Sequence, residues 1–152
     1  MAFTVSGIFA TFLEDALENT AAYDLLGDTF KVALYNNTTA PDKTVTTANR
    51  TYGAGVWVVG NEIDDGTEWD AGGEPLDTPL MTTTTNVLKW DATDTVSGGT
   101  SFTTTEDAYG CLIHDSTITN EGIVFLYFGA AGVTDGTFTI VYNGAGIMTL
   151  TV

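Results

Sequence analysis

The sequence has very few basic residues. Its 152 residues contain 4 Lys and Arg against 20 Asp and Glu, which gives a formal net charge of −16. Proteins that bind nucleic acids or anionic membrane surfaces do so with Lys and Arg, so neither is an expected partner. No apolar run approaches the length of about 18 residues that a membrane-spanning helix requires. We therefore expect no nucleic-acid partner and no membrane partner.

The residues that carry much nucleophilic and acid–base chemistry are also scarce. There is 1 Cys and 1 His, which excludes an internal disulfide and a zinc site built from several such ligands. Cys111 and His114 lie three residues apart in a predicted strand, so their side chains point to opposite faces. We interpret Cys111 as a core residue and His114 as a surface residue at the end of the strand. With no Gly-x-Ser-x-Gly motif and no phosphate-binding loop, we predict no catalytic residue, no cofactor and no enzymatic activity.

The chain has enough apolar residues to form a core. Hydrophobic residues make up 43% of it and aromatic residues 11%, which is too apolar for a disordered acidic segment. A chain of this length buries roughly 70% of its unfolded surface. It therefore needs neither a metal nor a disulfide to fold, and we predict one domain over residues 1–152.

The first segment has the periodicity of a helix. Ser6 is a candidate N-cap. Apolar residues follow it at spacings of three and four, which places them on one face: Ile8, Phe9, Phe12, Leu13, Ala16 and Leu17. We predict a helix over residues 6–17, with residues 1–5 as an N-terminal arm ahead of it.

The rest of the chain has the pattern of β-structure. Alternating or β-branched segments recur between turn residues, at residues 29–35, 80–84, 87–90, 109–114, 123–128, 137–142 and 147–151. Thr85 and Asn86 predict the turn of one hairpin, and residues 143–146 that of another. We predict a mainly β fold, an antiparallel β-sandwich of seven to eight strands with one short N-terminal α-helix.

The acidic stretch over residues 61–70 is the only candidate metal site that we find in the sequence. It is not an EF-hand, because Ile63 and Gly72 occupy positions three and twelve, where ligands are required. A looser calcium site would use Asp64, Asp65, Glu68 and Asp70. The alternative interpretation is a solvated acidic loop. A glycosidase pair of carboxylates remains a further, weaker alternative.

Aromatic residues offer a second candidate surface. Tyr52, Trp57, Trp69 and Trp90 would form a platform for stacking sugars or for a protein contact. Trp57 lies in the run VWVV, which is apolar on both faces and suits a strand covered on both sides. Either the core or a partner chain would provide that cover, and the core is the simpler interpretation.

Several segments together resemble a family of small structural proteins of tailed bacteriophages. DTFKVALY (28–35) resembles their "DTIKVAL" strand, and TYGAGV (51–56) their "GYTAGG" turn. LKWDA (88–92) resembles a strand ending in "DA", and YGCLIHD (109–115) resembles "YAVIYKD". IVFLYFG (123–129) is similar to "LIGYVDFG", and GTFTI (136–140) with AGI (145–147) is similar to "GTFTITW…AGI". The segments occur in order over most of the chain, whereas residues 61–85 are longer and more acidic than the family pattern.

The resemblance implies a virion component that is assembled in the host cytoplasm and has no catalytic residues. We expect a capsid decoration protein on the outer head surface, in contact with the major capsid protein or another virion protein. A homo-oligomer, with a trimer as one guess, would fit the symmetry of a shell. The alternatives are a tail, collar or baseplate component, and an acidic carbohydrate- or calcium-binding β-sandwich module.

Four residues are candidates for contact with a partner. Residues 1–5 would add a strand to the sheet edge of a neighbour, which makes Phe3 and Val5 contact candidates. Phe9 on the predicted helix and Trp57 in its apolar run are the other two.

Overall fold

The computed structural model describes residues 2–151, and these form mainly short strands. The helices are α1 (Ala10–Glu18) and α2 (Thr47–Arg50), with a 3-10 turn at Val59–Asn61. The strands are β1 (Gly7–Ile8), β2 (Phe30–Tyr35), β3 (Glu62–Ile63), β4 (Glu74–Pro75), β5 (Leu80–Thr84), β6 (Val87–Asp91), β7 (Thr95–Val96), β8 (Ala108–Asp115), β9 (Glu121–Ala131), β10 (Thr139–Ile140) and β11 (Met148–Thr151).

The strands form three antiparallel sheets. The largest has the order β1-β9-β8-β2-β3, with β4 also paired to β2, and the others have the orders β11-β6-β5 and β10-β7. The predicted fold class, mainly β with antiparallel pairing and a short N-terminal helix, is confirmed. The predicted number of strands is too low, because β1, β3, β4, β7 and β10 are two-residue strands, too short to show an alternating pattern. The sandwich arrangement stays a prediction.

The centre of the large sheet is the part that the sequence predicts best. The predicted strands at 29–35, 109–114 and 123–128 correspond to β2, β8 and β9, which lie side by side. The β2–β8 pairing runs from Phe30 opposite Asp115 to Tyr35 opposite Gly110. Both faces of β2 are covered, since Ala33 and Leu34 are both fully buried.

One of the two predicted hairpins is present. β5 and β6 pair around Thr85 and Asn86, whose φ angles of 20° and 65° are positive, as this tight turn requires. The predicted pairing of 137–142 with 147–151 is wrong, since β10 pairs with β7 and β11 with β6. After the turn at residues 143–146, the Ile147 N–H donates to the Trp90 carbonyl at 2.9 Å. This bond directs the chain to β6 rather than back to β10.

The N-terminal helix begins later than predicted. Helix α1 starts at Ala10 with Phe9 at the N-cap position, and the predicted cap Ser6 instead accepts a hydrogen bond from the Tyr127 N–H at 2.8 Å. Gly7–Ile8 form the edge strand β1 against β9. Pairing with β9 therefore overrides the helical periodicity of the first apolar residues. A second helix, the four-residue α2, is not predicted.

A buried arginine joins both helices to the large sheet. Arg50, at the end of α2, is fully buried. Its guanidinium lies 2.9 Å from carboxylate oxygens of both Asp15 on α1 and Glu121 on β9. It also donates to the Gly122 carbonyl and to the Tyr23 hydroxyl, each at 2.6 Å. The burial of Arg50 was not predicted, because an isolated Arg in a polar segment has no distinguishing pattern.

Candidate functional site

Three of the four predicted interface residues lie in the core. Phe3, Phe9 and Trp57 are each 0% exposed, and the Trp57 ring lies 5.9 Å from that of Phe3 and 6.0 Å from that of Phe9. Val5 is 53% exposed and stays available for contact. Met1 lies outside the described residues, whereas Phe3 does not project as part of a free arm. The interpretation of Phe3, Phe9 and Trp57 as interface residues is wrong, because the chain covers them itself.

The run around Trp57 is not the strand that the sequence predicts. Val56 ends a turn and residues 57–58 have no regular secondary structure, followed by the 3-10 turn at Val59–Asn61. Trp57 points inward and its carbonyl accepts a hydrogen bond from the Tyr35 hydroxyl at 2.7 Å, whereas Val58 and Val59 are exposed. The simpler interpretation of Trp57 as a core residue is confirmed.

The other tryptophans are buried as well, so they form no exposed stacking platform. Trp69 packs against Phe102 and Phe138, with ring centroids 6.1 Å and 5.7 Å away. Trp90 packs on Phe30, and its indole N–H donates to the Leu25 carbonyl at 2.9 Å. The prediction of a sugar-stacking surface that includes these residues is wrong.

His114 is a buried residue, contrary to the prediction that it lies at the surface. It is 1% exposed, because the segment around Gly72 covers the end of β8. His114 Nε2 lies 2.9 Å from the Gly72 carbonyl, and its ring stacks on Tyr52 at a centroid distance of 4.9 Å. Burial lowers the pKa of His114 to about 4, so the ring is neutral and Nε2–H donates to Gly72.

Glu62 connects the same residues from the other side. The Tyr52 hydroxyl and the Gly72 N–H each donate to its carboxylate at 2.7 Å. Burial raises the pKa of Glu62, and it raises the pKa of Tyr52. The four residues form a largely buried cluster, linked by hydrogen bonds, that fastens the acidic segment to the large sheet.

The protonation of His114 gives a test of this cluster. Because its pKa is near 6.5 in the unfolded chain and about 4 when folded, the unfolded state binds more protons between these values. The contribution of His114 to stability is therefore lost as the pH falls from 6.5 to 4. When the pH is lowered from 7 to 4.5, we expect the free energy of unfolding of the wild type to fall by about 2–3 kcal/mol more than that of His114→Gln. Urea unfolding at each pH measures the difference.

The comparison with a variant is necessary because a neighbouring acid acts in the opposite direction. Burial raises the pKa of Asp115, so acidification stabilises the folded state through this carboxyl. Taking the difference between wild type and His114→Gln removes that contribution. An equal pH dependence in both proteins would contradict the buried neutral imidazole.

The predicted calcium loop is held together by its own hydrogen bonds. Asp65 Oδ1 accepts the backbone N–H groups of Thr67, Glu68 and Trp69 at 3.0, 2.8 and 3.1 Å. Within residues 2–151, no group of three or more His, Cys, Asp or Glu side chains could hold a metal ion. The structure thus does not bring Asp64, Asp65, Glu68 and Asp70 together as ligands.

Cys111 is a core residue, as predicted. It is 0% exposed and pairs across the large sheet with Leu34 on β2 and Leu126 on β9. Burial raises the pKa of its thiol to about 12. The group is therefore a protonated thiol at neutral pH, which is a poor nucleophile.

The surface combines negative charge with exposed apolar side chains. Two of the four basic residues are engaged with acids: Arg50 is buried among carboxylates and Lys89 lies 3.2 Å from Asp91. Large apolar side chains nevertheless reach the surface, most of all Leu17 at 86% and Val141 at 72% exposure. Leu17 was predicted on the apolar face of the helix, and its exposure was not predicted.

Comparison with known proteins gives no relative. No protein-family model matches this chain, and neither the curated proteins nor the solved structures give a significant match. None of the helices within residues 2–151 has the length and apolar character needed to cross a membrane.

Proposed function

We propose that this chain is a non-enzymatic structural component of a tailed-bacteriophage virion, bound to the outer surface of the head as a capsid decoration protein. The observation that carries the proposal is the arrangement of three segments on which the resemblance depends. Segment 28–35 is far in the sequence from segments 109–115 and 123–129, yet it includes β2, which lies in one sheet beside β8, and the other two segments include most of β8 and β9. The resemblance therefore follows the centre of the fold.

The physical properties of the chain support such a structural role. The aromatic core and the long β8–β9 pairing provide a well-packed domain. The net charge of −16 makes free copies repel one another, which favours attachment to a different protein over self-association in solution. Many copies on one particle also supply avidity, so each contact can be weak.

Electron microscopy of purified particles tests the proposal. Particles whose genome encodes this chain are labelled with gold-conjugated antibody fragments raised against the purified protein. We expect regular labelling of the head and a stoichiometric band for the chain in washed particles. An antibody against the major capsid protein is the positive control for access to the head surface.

The other outcomes separate the alternatives. Labelling confined to the tail, collar or baseplate would replace the proposed location with one of those positions. Absence of the chain from washed particles would overturn the virion role altogether.

A further inference from the structure

An apolar groove lies between the N-terminal helix and the three-stranded sheet. It has a volume of about 220 Å³. No charged residue lines it, and its walls include Leu13 and Leu17 from α1 and Met81, Trp90, Met148 and Leu150 from β5, β6 and β11. Leu17 and Leu150 are 86% and 47% exposed. The groove therefore presents large apolar side chains that the described chain leaves uncovered.

The groove adjoins two sheet edges. Ile8 of β1 lines one side of the groove, and residues of β11 line another. Within residues 2–151, β1 pairs only with β9, and β11 pairs only with β6. Such edges present backbone donors and acceptors to an added strand. An extended segment could thus pair along an edge while alternate side chains enter the groove.

The charge around the groove decides between occupants. Glu14 and Glu18 are exposed on α1 beside Leu17, and the whole chain carries a net charge of −16. A second copy would bring the same negative charge to the contact, which opposes association. A segment with Lys or Arg flanking its apolar residues would instead be attracted.

We propose that this groove binds an extended segment of a partner protein in which large apolar residues alternate with Lys or Arg. The apolar side chains occupy the space beside Leu17 and Trp90, and the basic side chains, on the other face of the added strand, attract it to a chain with a net charge of −16. The segment adds a strand to the open edge of β11 or β1. This inference concerns the groove alone and holds whether or not the chain is a virion component.

Methionine methyl groups provide the measurement. With ¹³C-labelled methionine, NMR signals of Met81 and Met148 report on the groove from inside it, and Met→Leu variants assign them. The probe is a short peptide of alternating Leu and Lys. We expect it to shift both signals saturably, whereas a peptide of alternating Leu and Glu leaves them in place. N-methylation of alternate amides should weaken binding by about tenfold or more, through loss of edge hydrogen bonds.

Two variants locate the contact. Leu17→Gln should weaken binding of the Leu–Lys peptide about tenfold, because it removes an apolar contact. Val141→Gln changes another strongly exposed apolar residue, outside the groove, and should leave the affinity unchanged. Unchanged melting temperatures would show that both variants remain folded.

Several results would overturn the proposal. These are the absence of any shift, equal binding of the Leu–Lys and Leu–Glu peptides, unaffected binding of the N-methylated peptide, and wild-type affinity in Leu17→Gln. Self-association of the wild type that Leu17→Gln abolishes, seen by sedimentation, would assign the groove to a second copy. Shifts with dodecanoate but not with the peptide would assign it to an acyl chain.

Discussion

Replacement of Arg50 by Met is expected to lower the free energy of unfolding by about 3–5 kcal/mol. The side chain is fully buried and lies 2.9 Å from carboxylate oxygens of Asp15 and Glu121. Met fills much of the space but leaves these partly buried acids without their cation, so their negative charges repel each other with only partial screening by solvent. The Gly122 carbonyl loses its donor as well. Urea unfolding monitored by tryptophan fluorescence measures the loss.

Two controls separate the ion pairs from general effects of losing a charge. Lys43→Met removes an exposed cation and should change stability by no more than about 0.5 kcal/mol. In the Arg50→Met background, Asp15→Asn with Glu121→Gln should recover part of the loss, because it removes the uncompensated negative charges. Equal stability of Arg50→Met and wild type would show that the buried ion cluster does not form.

Replacement of Trp57 by Ala should have an effect of similar size, about 3–5 kcal/mol. Its ring contacts Phe3, Phe9, Tyr35 and Phe125 with centroid distances from 5.1 to 6.0 Å. Truncation leaves a cavity among these rings, which the surrounding sheet can fill only in part. The loss is measured as a lower midpoint of urea unfolding for the isolated protein.

The nearby valine provides the control for Trp57. Val59 is 53% exposed, so Val59→Ala should cost no more than about 0.5 kcal/mol. If Trp57→Ala instead retained wild-type stability and lost only the ability to bind a partner, the residue would belong to an interface and the core assignment would be wrong.

The sequence patterns correctly predicted the strands and the hairpin whose structure depends on residues close together in the chain. β2, β8 and β9 have continuous apolar segments, and the β5–β6 hairpin has a turn at which Asn86 takes a positive φ. The failures came where distant residues decide the structure. Gly7 and Ile8 lie within the segment predicted as a helix, but they pair with β9 as a strand. The five two-residue strands exist only through their partners.

The candidate site was harder to predict because burial is a property of the whole fold. The pattern around Trp57 was consistent with a core, the simpler interpretation, and with an interface, and the positions of Phe3, Phe9 and Phe125 distinguish them. His114 was expected at the surface because a strand end is usually open, yet the Gly72 segment covers it. Leu17, by contrast, belongs to the apolar helix face but lies at the open side of the groove.

The single cysteine of the chain allows opening of the central sheet to be measured directly. Because Cys111 on β8 is fully buried, an alkylating reagent reaches its sulfur only after the packing that covers this central strand opens. The rate of thiol modification in native buffer therefore reports how often the central sheet opens, and the measurement needs no dye or engineered label. The rate of Cys111 alkylation can also be compared between the free chain and the chain within a larger assembly.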